Sequence, residues 1–142
     1  MIAGPVLVDT GPLVALLVGR DQFHETCSRQ IQEISAPLYS CWPVVTEAAY
    51  LLRRYRVGLD ALLSRIELRR VELLPLGPED APGIAGILRR FHDQGFDLAD
   101  ACLMHLAERD GIRHVFTLDQ RHFRVFRKMD GSALQLHPAS IS

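Results

Sequence analysis

Val6-Leu7-Val8 is an unbroken apolar run with β-branched residues, long enough for a strand buried on both faces and too short for a helix. Comparable short runs recur at Leu38 to Ser40, Val71 to Leu74, Val115 to Leu118 and Leu134 to Leu136. Between them lie longer segments with helical patterning. Thr10 can cap and Pro12 fits the first turn of a helix over Leu13 to Val18. Further helices are expected over Phe23 to Ile34, broken by Ala36-Pro37, from Pro43 to a stop at Gly58, and over Leu59 to Arg70. Two more should run from Pro78 to about Phe91 and from Leu98 to Arg109, with Gly95 and the Asp110-Gly111 turn as breaks. Strict alternation of this kind predicts an α/β fold, a three-layer α/β/α sandwich with a central, mainly parallel sheet. Such folds bind ligands beyond the carboxyl ends of the strands.

The 142 residues are expected to form a single domain spanning 1–142, and a composition nearly half hydrophobic suffices for a core without disulfides. Cys27, Cys41 and Cys102 are odd in number and lack C-x-x-C pairing, which predicts buried, reduced thiols instead of a disulfide framework or zinc ribbon. A net charge of −1 excludes a polycation that grips nucleic acid unselectively, so a nucleic-acid substrate needs a local patch. Every basic residue but Lys128 is arginine, whose planar fork suits phosphate, although a biased gene composition explains this equally well. No signal peptide or membrane-length apolar run is evident, and a cytoplasmic protein is expected.

Four acids stand where a strand ends or a helix begins: Asp9, Glu47, Asp100 and Asp119. Asp9 could serve as a helix cap, but Thr10 competes for that task, and a buried strand-end carboxylate with no basic neighbour in sequence is costly. Glu47 has Pro43, Val44, Tyr50 and Leu51 as its helical neighbours and therefore no local ion pair. Asp97 and Asp100 imitate a capping box with Asp97 as cap, while the same i, i+3 spacing presents two carboxylates to one cation. Asp119 opens the segment Asp119-Gln120-Arg121-His122, where turn chemistry and a ligand role are both open. Carboxylates that share a small space require a cation or protonation, and an all-oxygen set favours magnesium or manganese. Arg121, Arg124, Arg127 and Lys128 follow closely enough to form a phosphate-contacting rim. His105 and His137 are read as structural, and Gly83 and Gly86 as packing glycines.

Asp9-Thr10-Gly11-Pro12-Leu13-Val14-Ala15-Leu16, Thr46-Glu47-Ala48-Ala49-Tyr50-Leu51-Leu52, Asp97-Leu98-Ala99-Asp100-Ala101 and Thr117-Leu118-Asp119-Gln120-Arg121-His122-Phe123 occur in that order. Together they resemble the four motifs of the PIN-domain ribonucleases, particularly the VapC-type toxins of bacterial toxin–antitoxin modules. The resemblance spans nearly the whole chain and implies a PIN-like fold. It implies an endoribonuclease dependent on Mg²⁺ or Mn²⁺ that leaves a 5′-phosphate and a 3′-hydroxyl. Asp9, Glu47 and Asp100 would be core metal ligands and Asp119 an additional one, with Thr10 and Thr117 as hydroxyl supports and Asp97 as an accessory acid. Partners implied are an RNA substrate, a small antitoxin and a second copy in a homodimer. His122 stands where relatives often carry an aspartate, which leaves a second ion open. The alternative is a catalytically silent PIN-fold domain that binds RNA or a partner. A haloacid-dehalogenase-like phosphotransfer site is disfavoured because Gly11 occupies the place of its second aspartate.

Overall fold

A computed structural model describes residues 1–35 and 37–141. Its strands are β1 (Val6–Val8), β2 (Leu38–Ser40), β3 (Val71–Leu73), β4 (His114–Phe116) and β5 (Gln135–His137). They form one sheet in the order β3-β2-β1-β4-β5, with every pairing parallel. The helices are α1 (Thr10–Leu17), α2 (His24–Ile31), α3 (Trp42–Leu51), α4 (Arg56–Glu67), α5 (Ala81–Arg90), α6 (Leu98–Asp110) and α7 (Gln120–Val125). Short 3₁₀ turns cover Pro78–Asp80 and His92–Gln94.

The strand order decides where the helices lie. Connections from β1 to β2 to β3 step one way across the sheet, and the connection from β3 to β4 crosses back over β1. Parallel crossovers are right-handed, so helices on the first path cover one face and α5 with α6 cover the other. Packing follows these two sets, α1 contacting α2, α3 and α4 and α5 packing on α6 and α6 on α7, with α3 also packing on α6 and so joining the two. This is the expected three-layer α/β/α sandwich. β1 and β4 are buried throughout, which explains their unbroken apolar sequences. The fully buried Leu7, Val8, Leu103, Met104, Leu106 and Phe116 belong to the core, and Cys27, Cys41 and Cys102 are buried free thiols as expected. Among the described residues no helix is long and apolar enough to cross a membrane.

Several boundaries differ from expectation. Gly58 does not end the third helix; α3 stops at Leu51, and Gly58 lies buried in the first turn of α4. A Cβ there would approach Leu52 at 3.3 Å, so its small size serves packing. α2 ends at Ile31, and Ile34 forms an isolated parallel bridge with Ile2. Of the Ala36-Pro37 break, Ala36 lies outside the described residues. The helix expected from Pro78 begins as a 3₁₀ turn, β4 starts at His114 and ends before Thr117, and β5 is shifted by one residue. Segment 119–122 contains the start of α7, a helix the turn-like composition concealed.

A polar knot ties α5 to α6. Asp80, 3% exposed, accepts hydrogen bonds from the Gly77 N–H at 2.8 Å and Arg109 Nη1 at 3.1 Å, and its Oδ1 lies 2.8 Å from His105 Nε2. The Gly77 N–H, His105 and Arg109 together hold the Asp80 carboxyl down at about 2. His105 is thus structural, as read from the sequence. Gly83 is a packing glycine, since a Cβ there would lie 2.6 Å from the His105 ring, whereas Gly86 faces open space and is not one. Because the folded carboxyl is depressed, Asp80 stabilises the fold above its unfolded value near 4 and loses that contribution as pH falls toward 2. Asp80→Asn should therefore lower the melting temperature at pH 7, with the gap to wild type narrowing in melts below about pH 3. A gap unchanged down to pH 2 would assign the effect to packing instead of charge.

Candidate active site

β1 is the strand at which the direction of connection reverses, so the crevice beyond its carboxyl end is the natural ligand site of this topology. Asp9 is the first residue past that end. Its N–H donates to the Phe116 carbonyl at 2.9 Å, continuing the ladder to β4, and its side chain is 6% exposed at the residue level. Asp9 precedes α1 in extended conformation, yet its side chain makes no capping hydrogen bond. Oδ2 instead accepts from the Thr117 hydroxyl at 2.8 Å, from just beyond β4.

Thr10 is not the cap expected of it. It is already the first residue of α1, and its hydroxyl donates to Glu47 Oε2 at 2.9 Å, linking α1 to α3. Gly11 follows for a steric reason: a Cβ there would press on Leu118 at 3.3 Å, so its absence lets α1 start against the segment carrying Thr117 and Asp119.

Asp97 caps α6, accepting from the Asp100 N–H at 2.8 Å. Asp100 reaches back, with Oδ2 accepting from the Asp97 N–H at 3.3 Å, so the capping box is real. The same Oδ2 lies 2.9 Å from His122 Nδ1, and that nitrogen is 3.6 Å from Asp119 Oδ2. The Asp119 side chain is 56% exposed at the start of α7, and its N–H donates to the Thr117 hydroxyl at 3.2 Å. α3 packs on α6, which brings Glu47 to Asp97. Asp9, Glu47, Asp97 and Asp100 thus share one crevice, and Asp119 borders it through Thr117 and His122.

The electrostatics follow from burial without counter-charge. Burial pushes the Asp9 carboxyl up to about 6, with the charges of Asp100 and Asp97 adding and hydrogen bonds from the Thr10 backbone and Thr117 opposing. Asp100 also rises to about 6, through burial and then Asp97, against the Asp97 N–H and His122. Glu47 is raised by burial and by its contact with Asp97, with Thr10 opposing. Among the described residues no arginine or lysine pairs with any of these four acids, and His122 is the one histidine in contact with them.

Uncompensated oxygen donors fit a hard divalent cation in chemistry. Geometrically the set is open: among the described residues no three His, Cys, Asp or Glu side chains already converge as a metal-binding group. Thr10 holds Glu47, Thr117 holds Asp9, and Asp97 with His122 holds Asp100, so these side chains would have to turn to close on an ion. Beside the acids, Trp42, Pro43, Thr46, Glu47, Asp97, Leu98 and Ala99 line a cavity of about 500 Å³. A larger one, about 650 Å³, lies elsewhere between α1, α2, α4 and the β2–β3 edge and contains no carboxylate.

Two features escaped the sequence reading. His122 looked like a lost acid and instead touches Asp100. The arginine rim is only partly available, since Arg124 leans on Gln120 and Arg127 donates to the carbonyls of Arg124 and Phe126. Arg121 remains exposed. His137 is structural as expected, its Nε2 3.0 Å from His114 Nδ1.

The acids thus come from just past the end of β1 (Asp9), from midway along α3 and not from its start as expected (Glu47), and from the starts of α6 (Asp97, Asp100) and α7 (Asp119). The PIN domain profile matches residues 6–130, and the chain belongs to that family. Ribonuclease VapC26 of Mycobacterium tuberculosis is 32% identical over 138 residues, covering 94% of this chain and 100% of the relative. The crystal structure of M. tuberculosis VapC20, a sarcin-ricin loop cleaving toxin, matches with a TM-score of 0.73 over 82% of this chain and 92% of that one. At 21% identity that likeness bears on the fold alone.

A raised carboxyl destabilises the fold above its folded pKa and ceases to do so once protonated in both states. For Asp9 the penalty is present at neutral pH and is relieved as pH falls from about 6 toward 4. A shift from 3.8 to about 6 corresponds to a penalty on the order of 3 kcal/mol at pH 7.5. In EDTA, Asp9→Asn should melt above wild type at pH 7.5, and the difference should shrink toward pH 4.5. A variant that melts lower at pH 7.5 would make Asp9 a structural cap.

Proposed function

We propose that this protein is a divalent-metal-dependent endoribonuclease and the toxin of a toxin–antitoxin pair. The observation that carries the reading is the crevice shared by Asp9, Glu47 and Asp100 without a paired arginine or lysine, in a chain related along nearly all its length to a protein named as a ribonuclease. In this reading Asp9, Glu47 and Asp100 would hold Mg²⁺ or Mn²⁺, with Asp119 joining from the rim. A divalent cation bound there would supply positive charge against the phosphate and acidify water.

The chain's own groups do the rest. Thr117 orients Asp9 and Thr10 orients Glu47 through the hydroxyl bonds described above. Asp97 positions Asp100 through the cap, and His122 fixes the Asp100 oxygen on the opposite side. One carboxylate takes a proton from the attacking water. Attack of the water oxygen at phosphorus breaks the bond to O3′, which takes up a proton from solvent, leaving a 5′-phosphate and a 3′-hydroxyl.

The proposal includes a cytoplasmic protein of one domain over residues 1–142, acting as a homodimer. It also includes a small antitoxin whose arginine or lysine enters the acidic crevice, because a buried carboxylate cluster is a strong receptor for a bidentate cation. Co-purification of a small partner from the native host, and toxicity on expression without it, are the outcomes this reading requires.

Asp9→Asn and Asp100→Asn should each abolish magnesium-dependent RNA cleavage while leaving the circular-dichroism spectrum native. Residual activity above about a tenth of wild type, a barrier change under ~1.4 kcal/mol, would remove that residue from the ligand set. Asp97→Asn should be milder because it acts through Asp100. Equal damage from Asp97→Asn would place its carboxylate on the ion. Magnesium should also raise the wild-type melting temperature, by the equivalent of about 2.7 kcal/mol at a hundred times its dissociation constant. The response should be smaller in Asp9→Asn.

A further inference from the structure

The cavity beside the acids has a second wall that the hydrolytic chemistry leaves unused. Trp42 opens α3 with 59% of its surface exposed, and Leu98 opens α6 at 57%. Both line the same cavity of about 500 Å³ as Glu47 and Asp97. Among the described residues the indole has no aromatic or cation–π partner; the ring pairs involve other residues. A large exposed indole sharing a cavity with the carboxylates of Glu47 and Asp97 is an uncommon use of an apolar ring, since burial is what normally recovers its hydration cost.

The rest of the α3 face extends this surface. At about 100° per residue, positions 42, 43, 46, 47 and 50 fall within a sector of about 140°. That sector presents Trp42, Pro43, Thr46, Glu47 and Tyr50 on one side of the helix. Tyr50 is 63% exposed, and the Arg53 guanidinium lies 4.0 Å from its ring centroid. The Thr46 hydroxyl donates to the Trp42 carbonyl at 2.9 Å, so its one O–H is spent on the helix. Along the helix axis the face therefore places Glu47 between a bare indole toward the start of α3 and a tyrosine with a cation over it toward the end. Exposed aromatic faces with interleaved positive charge suit unpaired nucleotides, because a π-face stacks on any base while the cation meets phosphate.

We propose that Trp42 is a base-stacking platform that seats an unpaired nucleotide of the RNA substrate beside the acidic crevice. The proposal rests on the ribonuclease reading and deepens it. A base held in a duplex has both faces covered by its neighbours and cannot lie on the indole. Trp42 then contributes to binding and placement of the scissile phosphate, and the acids contribute to the chemical step.

Trp42 is the only tryptophan in the chain, so its fluorescence reports on this position alone. The test titrates the Asp9→Asn variant in Mg²⁺ with an unstructured, end-labelled oligoribonucleotide, following tryptophan emission and label anisotropy together, and repeats it with a duplex of the same composition. Saturable quenching by the single strand at the concentrations where anisotropy rises, with much weaker quenching by the duplex, is the expected result. In cleavage assays of otherwise wild-type protein, Trp42→Ala should raise KM by roughly 5- to 150-fold with a smaller effect on kcat, and Trp42→Phe should recover most of the loss.

Bound oligonucleotide with unquenched emission, or Trp42→Ala with an unchanged KM, overturns the platform while leaving the nuclease reading intact. An indole shielded from acrylamide in the free protein, together with a dimer by sedimentation, assigns Trp42 to an interface between copies and also overturns it. Absence of cleavage by wild type with either Mg²⁺ or Mn²⁺ counts against the nuclease reading, and the quenching comparison then still decides the platform.

Discussion

The Asp9 carboxylate is the group around which the rest of this structure is arranged. It follows the central strand, is 6% exposed, and receives one side-chain hydrogen bond, from Thr117. Burying a charge on those terms is unfavourable unless something else supplies the missing solvation. The fold does not supply it: the nearest charged groups on α6 are acids of the same sign. The elements that deliver the other acids, α3 through Glu47 and α6 through Asp97 and Asp100, are fixed by the apolar core, which buries Asp100 beside Asp9 and leaves Glu47 half-buried and Asp97 exposed at the mouth of the crevice. The core therefore holds together a site that repels itself, a pattern typical of positions kept for function at the expense of stability.

Hydrogen bonding within the crevice divides the acids into two pairs. Asp9 and Glu47 are held by threonine hydroxyls, which donate without bringing charge. Asp100 is held by a backbone N–H and by His122, and Asp97 by its capping role. A hydroxyl fixes the orientation of a carboxylate and leaves its other oxygen free, whereas an arginine in the same place would neutralise it. The threonines at positions 10 and 117 thus preserve the negative charge that a cation requires.

The sheet was legible in the sequence because fully buried strands carry unbroken apolar runs, and Val6-Leu7-Val8 and Val115-Phe116 could be little else. Asp9 and Glu47 stood out in the sequence for a related reason, since each is a charged residue in apolar company with no sequence-local partner, whereas Asp100 has Asp97 three residues before it and forms the capping box that its spacing suggested. What stayed hidden depended on tertiary contacts. Asp119 to His122 is rich in turn-forming and polar residues, and only Phe123 and Phe126, both buried, reveal why α7 forms there. His122 gains its meaning from Asp100, twenty-two positions away, and the buried Asp80 knot depends on His105 and Arg109 on another helix. Gly58 was misread because a glycine that admits Leu52 looks, in sequence, the same as one that stops a helix.

The claim on which the account stands is that this carboxylate crevice is built for a divalent cation. Electron paramagnetic resonance of Mn²⁺ titrated into the full chain measures that directly, because free and bound ions differ in signal and the bound fraction can be counted without any substrate. The account predicts saturable binding of a small whole number of ions per chain, strongly weakened in Asp9→Asn and in Asp100→Asn. Binding that never saturates, or that both variants retain unchanged, would contradict it.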